Sequence, residues 1–275
     1  MRENSAMQQN FWTKECAAPT RIVNFTGTLA GVDYRDAIIC GDCLEVMRAM
    51  PEKSVHLIVT SPPYNLLNST GNGLKKNTRC GKWANAAIKN GYQSWDDNMP
   101  YADYVAWQRA CVAEMLRLLT PDGAIFYNNK NRVQAGLLQD RREIVAGFPL
   151  RQIITWKRSG AINFNAGYFL PVTEQIYLLC RRDFRLAPGA NKFTDVWEIK
   201  QEMKNPHPAP YPEALIDRIL QSAPGTVVLD PFAGSGTTAV CARRHGRQFI
   251  LIEQSPAYCE MARQRLDGGQ WRNAA

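Results

Sequence analysis

The chain has 275 residues, 45% of them hydrophobic, which is enough for the core of one large α/β domain or two small ones and excludes wholesale disorder. Lys and Arg outnumber Asp and Glu by 33 to 25, for a formal charge of +8, a balance that suits a polyanion whose phosphates a basic face attracts. No apolar leader opens the chain, no stretch approaches the ~18 apolar residues of a membrane span, and the lone Cys40–Cys43 pair has no second Cys or His pair at zinc spacing. The expectation is a cytoplasmic protein with reduced thiols, no metal and no membrane association.

Residues 1–33 show no sustained period and read as an N-terminal arm, leaving 34–275 as the main domain. Ala37–Cys40 is a short apolar strand ending at Gly41-Asp42, and Leu44, Val46, Met47 and Met50 then recur at helical spacing. Val55–Val59 is apolar without alternation, as expected of a strand buried on both faces of a parallel sheet. From Leu66 to Pro100 the pattern dissolves into glycines and basic residues, a loop length usually reserved for function. Helical periodicity returns over Tyr101–Leu119, and Pro121-Asp122-Gly123 turns the chain into the strand Ala124–Tyr127. Ile144–Phe148, Ile153–Trp156 and Gln175–Leu179 supply further elements, before a polar, basic stretch over 181–206. Pro212 suits the first position of a helix running to about Ala223. Val227–Leu229 is a strand, a glycine loop follows, Thr238–His245 is helical, and Phe249–Ile252 is a strand ending at Glu253. Strand–helix alternation at this pitch predicts an α/β, doubly wound, mainly parallel sheet.

The glycine loop reads Asp230-Pro231-Phe232-Ala233-Gly234-Ser235-Gly236-Thr237-Thr238. A strand feeding such a turn and then a helix aims backbone N–H groups at a ligand. The third glycine of the dinucleotide fingerprint is missing. Asp230 puts an acid where a cationic amino-acid group could be held, and Glu253, ending the next strand, is placed to accept from ribose hydroxyls. Two acids and no phosphate cradle suit S-adenosylmethionine better than a diphosphate. The competing reading is a tight strand–helix turn with two ordinary strand-end carboxylates.

The second motif, Ser61-Pro62-Pro63-Tyr64, follows the buried strand at Val55. An exocyclic amino group on cytosine or adenine is a poor nucleophile because its lone pair is delocalised into the ring. Acceptors for both amino hydrogens favour the rehybridised nitrogen, and Ser61 Oγ with a carbonyl of the turn can supply them. The prolines stiffen the loop and remove competing donors. Tyr64 offers a stacking face to a base taken out of the duplex. No Pro-Cys dipeptide is present, so the cysteine nucleophile of ring-carbon methylation has no candidate.

With Gly41-Asp42-Cys43-Leu44, Thr60-Ser61-Pro62-Pro63-Tyr64-Asn65, His207-Pro208-Ala209-Pro210-Tyr211-Pro212 and Asp230–Thr238, the chain resembles the amino-directed (N4-cytosine/N6-adenine) DNA methyltransferases from about Asp36 to Leu266. The Ser-Pro-Pro-Tyr turn precedes the glycine loop, which resembles the circularly permuted beta group. The resemblance implies a Rossmann-like S-adenosylmethionine-dependent methyltransferase fold over 34–275. It implies a catalytic turn at Ser61, Pro62, Pro63 and Tyr64, and cofactor contacts at Asp230, Phe232, Gly234, Gly236, Thr237, Thr238 and Glu253. Asp42 is added on the adenine side and His207 and Pro208 on the methionine side. Many relatives carry Asp at the position of Ser61, and Ser is commoner among the cytosine enzymes, so cytosine N4 is preferred over adenine N6. Candidate target-recognition insertions are 66–100, with Lys75, Lys76, Arg79 and Lys82, and 181–206, with Arg181, Arg182, Arg185 and Lys192; basic residues near aromatics suit phosphates and stacking. The expected partner is double-stranded DNA, with a homodimer and a companion restriction endonuclease as further partners, in a bacterial, archaeal or phage setting. The rivals are a protein-glutamine methyltransferase and a non-catalytic DNA-binding regulator on the same fold.

Overall fold

Consecutive residues of each central strand must be apolar if helices are to cover both faces of a sheet, and this chain meets that demand strand by strand. The computed structural model describes residues 19–65, 98–134, 136–160, 166–201 and 212–268. In chain order the elements are β1 (Arg21–Asn24), β2 (Ala37–Cys40), α1 (Cys43–Ala49), β3 (Val55–Thr60), α2 (Tyr101–Leu118) and β4 (Leu119–Asn129). Then come β5 (Arg132–Gln134), β6 (Leu137–Gln139), α3 (Arg142–Val145), β7 (Leu150–Lys157), β8 (Thr173–Cys180) and β9 (Val196–Glu198). The last third holds α4 (Glu213–Ser222), β10 (Val227–Asp230), α5 (Thr237–Arg244), β11 (Gln248–Glu253) and α6 (Pro256–Leu266).

Nine strands form one sheet in the order β1-β2-β11-β10-β3-β4-β8-β7-β9, and β5 and β6 pair separately. Pairings from β1 to β4 are all parallel, β8 runs antiparallel to both β4 and β7, and β9 is parallel to β7. The doubly wound, mainly parallel α/β sheet is the one expected from the sequence. Ile38, Leu57, Val228 and Leu251 face one core with Leu215, Ile216 and Ile219 of α4. Their neighbours Ile39, Ile58, Leu229 and Ile250 face the other core with Val46 and Met47 of α1 and Val112 and Met115 of α2. Both faces are therefore buried, and continuous apolar runs replace alternation.

Differences from the sequence reading have clear causes. Residues 21–24 fall within the expected arm, yet they form β1, the sheet's parallel edge strand beside β2; four half-exposed residues carry too little periodicity to announce themselves. Thr20 also ties this segment to the end of α6, its N–H donating to Asp267 Oδ1 at 2.9 Å. The strand expected over Ala124–Tyr127 runs from Leu119, because a register shift opposite Val55–Leu57 absorbs the Pro121-Asp122-Gly123 turn within the ladder. Pro212 caps α4 from outside its first turn rather than opening it.

Gly236 has φ +78°, and a Cβ there would lie 2.9 Å from Ala262 Cβ on α6, whereas Gly246, at φ +65°, has nothing within 4 Å. Gly246→Ala should therefore cost only the left-handed backbone penalty, about 1 kcal/mol, and Gly236→Ala roughly 2–4 kcal/mol because packing strain adds to it. Urea unfolding of the two variants checks the order.

Candidate active site

The parallel strands β2, β11, β10 and β3 end side by side, and the residues that leave them wall one cleft. Gly41 and Asp42 follow β2, Gln254 follows β11, Pro231 and Phe232 follow β10, and Ser61 and Pro63 follow β3; Trp107 and Tyr258 close the sides around about 660 Å³ of space open to solvent. Parallel sheets place ligands outside the carboxyl ends of their strands, and this cleft obeys that rule. The Ser-Pro-Pro-Tyr turn and the glycine loop, far apart in the chain, share it.

The glycine loop is held from beneath by Asp230, which is 1% exposed. Its Oδ1 accepts from Thr60 Oγ1 at 2.7 Å and from Phe232 N–H at 3.1 Å, and its Oδ2 accepts from Thr238 Oγ1 at 2.6 Å. The acid expected at a cationic ligand thus spends its oxygens on the protein, and it lies off the cleft wall. Gly236, Thr237 and Thr238 are likewise under the loop: Thr237 Oγ1 accepts from Arg265 at 2.9 Å, and Gly236 lets α5 approach α6.

Phe232, Gly234 and Glu253 do line the cleft. Phe232 meets Trp107 edge to face at 5.6 Å. Glu253 accepts from Gly234 N–H at 2.9 Å and Ser255 N–H at 2.8 Å. Burial raises its pKa above the ordinary glutamate range, with Asp230 adding to the effect and these two amides opposing it. Asp42 also borders the cleft, but its Oδ1 caps α1 by accepting from Leu44 N–H and Glu45 N–H at 2.9 and 3.0 Å.

The Ser-Pro-Pro-Tyr turn is anchored on its far side. Tyr104 donates to the Pro63 carbonyl at 2.9 Å, Arg141 to the Tyr64 carbonyl at 3.1 Å, and Arg132 to the Asn65 carbonyl. Arg141 is 0% exposed and lies over the rings of Tyr101 and Tyr104 at 5.2 and 4.7 Å. Asn65, at φ +57°, closes the turn and grips Met99 through N–H and carbonyl at 2.8 and 2.7 Å. No described residue donates to the Pro62 carbonyl, and Pro62 itself is buried.

Behind Tyr64 lies a polar cluster that the sequence reading missed. The Tyr64 hydroxyl contacts Ser61 Oγ at 2.9 Å, Glu174 Oε2 at 3.0 Å and Asn128 Nδ2 at 2.7 Å. Arg158 pairs with Glu174 from the other side, and burial brings the Lys130 ammonium down to about 8, with Arg158 pushing the same way. These residues come from β4, β7 and β8 or the positions just past them, so no local pattern could have flagged them; only the strand ends of an antiparallel meander bring them together.

The basic candidates divide unevenly. Lys75, Lys76, Arg79 and Lys82, with His207 and Pro208, lie outside the described residues. Arg181, Arg182 and Arg185 follow the end of β8, which runs against β4 and so finishes at the sheet edge opposite Ser61, where the Arg181 N–H meets the Gly123 carbonyl at 3.1 Å. Arg181 braces α2 there through the Leu116 carbonyl at 2.6 Å. Lys192 is exposed in a turn ahead of β9.

The family model N6_N4_Mtase, DNA methylase, matches residues 55–264. The chain is 28% identical over 256 residues to the type II methyltransferase M.HpaI of Haemophilus parainfluenzae, spanning 84% of this chain and 74% of the relative. It is 26% identical over 251 residues to the type II methyltransferase M2.DpnII of Streptococcus pneumoniae, spanning 84% and 89%. PvuII DNA methyltransferase (cytosine-N4-specific) shares the fold at TM-score 0.65 and 17% identity, over 92% of this chain and 96% of that one. TTHA0409 of Thermus thermophilus, solved with S-adenosyl-L-methionine, gives TM-score 0.57 and 26% identity over 83% and 92%.

Because Asp230 knits β3, the loop and α5, Thr238→Val should remove one donor from a buried carboxylate at nearly constant volume. The expected loss is about 2 kcal/mol, in the range of a hydrogen bond to a charged group, read by urea unfolding.

Proposed function

As the chain belongs to the DNA methylase family, we propose that it transfers the methyl group of S-adenosylmethionine to the exocyclic amino nitrogen of a base in double-stranded DNA, cytosine N4 in preference to adenine N6. The observation that carries this reading is the shared cleft: Ser61 and Pro63 stand on one wall, Gly234, Phe232 and Glu253 on the other. Bound there, S-adenosylmethionine supplies an electrophilic methyl group. Glu253 is placed to accept from ribose hydroxyls beside the Gly234 amide, Phe232 and Trp107 supply apolar surface, and Asp42 stands at the cleft's margin.

On the substrate side, a base inside a duplex cannot reach a cleft behind the strand ends, so the proposal includes flipping the target out of the stack. Ser61 Oγ and the Pro62 carbonyl then accept the two amino hydrogens, which draws the nitrogen towards a tetrahedral, nucleophilic geometry. Tyr104 already occupies the Pro63 carbonyl, which leaves Pro62 as the backbone acceptor. Carbon–nitrogen bond formation and carbon–sulfur cleavage are one displacement, with no covalent bond to the enzyme. The methylated nitrogen is acidic and gives up its proton without a strong base. The cytosine preference rests on the Ser61 hydroxyl, where many family members carry a carboxylate. Lys130, part-buried at the same strand ends as the cleft, is better placed than Arg181, Arg182 or Arg185 to meet a DNA strand entering it.

Labelled methyl transfer to duplex DNA, followed by nucleoside separation, tests the reading. N4-methylcytosine is the expected product, and N6-methyladenine alone would overturn the cytosine assignment. Ser61→Ala should lower kcat by roughly 10²-fold, the scale of losing one preorganised transition-state hydrogen bond, and full activity in that variant would remove Ser61 from the mechanism. A DNA-binding regulator without catalysis would bind duplex but show no calorimetric signal with S-adenosylmethionine.

The raised pKa of Glu253 adds a pH dependence. Its protonated form is a poorer acceptor, so cofactor affinity should fall on acidification, starting at a higher pH than an ordinary glutamate would require. Calorimetry across that range should find Glu253→Gln weaker and insensitive to pH; a parallel pH response in both proteins would assign the effect elsewhere.

A further inference from the structure

The polar cluster behind Tyr64 has a direction. Glu174, near the start of β8 and 6% exposed, has Oε1 3.5 Å from Arg158, and both side chains are more than nine-tenths buried. Its Oε2 accepts from Tyr64 Oη at 3.0 Å and from Asn128 Nδ2 at 2.8 Å. A carboxylate only accepts, and a phenol carries one proton. With the Tyr64 proton committed to Glu174, the 2.9 Å contact between Ser61 and Tyr64 must carry the serine proton. Asn128 Nδ2 reinforces this order by donating to the same phenol oxygen at 2.7 Å. The Ser61 hydrogen therefore points into the protein, away from the cleft that Ser61 lines.

We propose that Glu174 is a positioning residue that sets this order, Ser61 to Tyr64 to Glu174, and so makes Ser61 an acceptor only. An untethered serine hydroxyl can rotate to donate or accept, and would tolerate a base carrying a keto oxygen where the amino group belongs. Locked as an acceptor, Ser61 pairs with an amino hydrogen and sets its lone pair against a keto oxygen. Glu174 thus selects cytosine over uracil, or adenine over hypoxanthine, without touching the base. Arg158 supplies the counter-charge that keeps the carboxylate tolerable in its buried position. The inference rests on the DNA methyltransferase reading, because it needs a base at Ser61.

The test uses duplexes carrying the methylated site, with either the amino base or its keto counterpart at the target position, in competition binding and in turnover. The wild type should prefer the amino base by about tenfold or more, the scale of one mispaired polar contact. Glu174→Gln keeps the shape but can donate to Tyr64, so the preference should fall below about threefold and kcat by about tenfold, with cofactor affinity and KM for DNA within about twofold. Tyr64→Phe leaves the Glu174–Arg158 pair intact and removes the connecting hydroxyl. It should lose the same selectivity, and it decides the matter if circular dichroism shows Glu174→Gln to be unfolded. Wild-type transfer with undiminished selectivity in a folded variant overturns this inference alone. No transfer by the wild type overturns the methyltransferase reading with it.

Discussion

A single buried carboxylate, Asp230, holds the two halves of the cleft in register. It ends β10, and its oxygens collect donors from Thr60 at the end of β3, from the Phe232 amide within the glycine loop, and from Thr238 in the first turn of α5. Thr60 is the residue before Ser61, and it is 170 residues from its partner. The interaction therefore links the end of the strand that presents the Ser-Pro-Pro-Tyr turn to the glycine loop. Burial makes the arrangement exacting: a carboxylate removed from water is costly unless its lone pairs are taken up, so the three donors and the acid specify one another. The separation between Ser61 and Gly234 follows from that agreement.

Around this centre the cleft uses the same tactic with other groups. Glu253 is held by two backbone amides, which orient it while its burial raises its pKa. The Ser-Pro-Pro-Tyr turn lacks amide donors at its prolines, so its rigidity comes from outside, through Tyr104, Arg132 and Arg141 gripping successive carbonyls. Arg141 is itself enclosed by two tyrosine rings. On its cleft side the turn presents Ser61, which the proposed pairing with an amino group requires. The cationic side chains near it, Lys130 and Arg158, come from strand ends rather than from the basic stretch that composition highlights.

Parts of this are legible in the order of residues. The run Leu57–Val59 is apolar at every position because Leu57 and Ile58 face opposite cores, a pattern visible without any knowledge of the neighbouring strands. The glycine loop is equally plain, since Gly236 stands where only a left-handed residue with no side chain fits against Ala262. The strand β1 is not, being four residues at an edge with partial burial. Nor is the role of Arg181, whose charge invites a DNA contact; the direction of β8 carries it to the opposite edge, where it braces a helix.

The α/β class, the doubly wound order of strand and helix, and the two motifs with the chemistry they imply all follow from residues adjacent in the chain or repeated at a helical or strand period. Other facts emerge only once the sheet has formed: Asp230 serves the protein rather than the cleft, Glu253 and Gly234 share that cleft with Ser61, and Glu174, Asn128 and Arg158 stand behind Tyr64. Each turns on side chains from strands that become neighbours through folding. The difference is one of range: periodicity reports burial within a few residues, whereas hydrogen bonds are satisfied across distances in sequence that no local pattern spans.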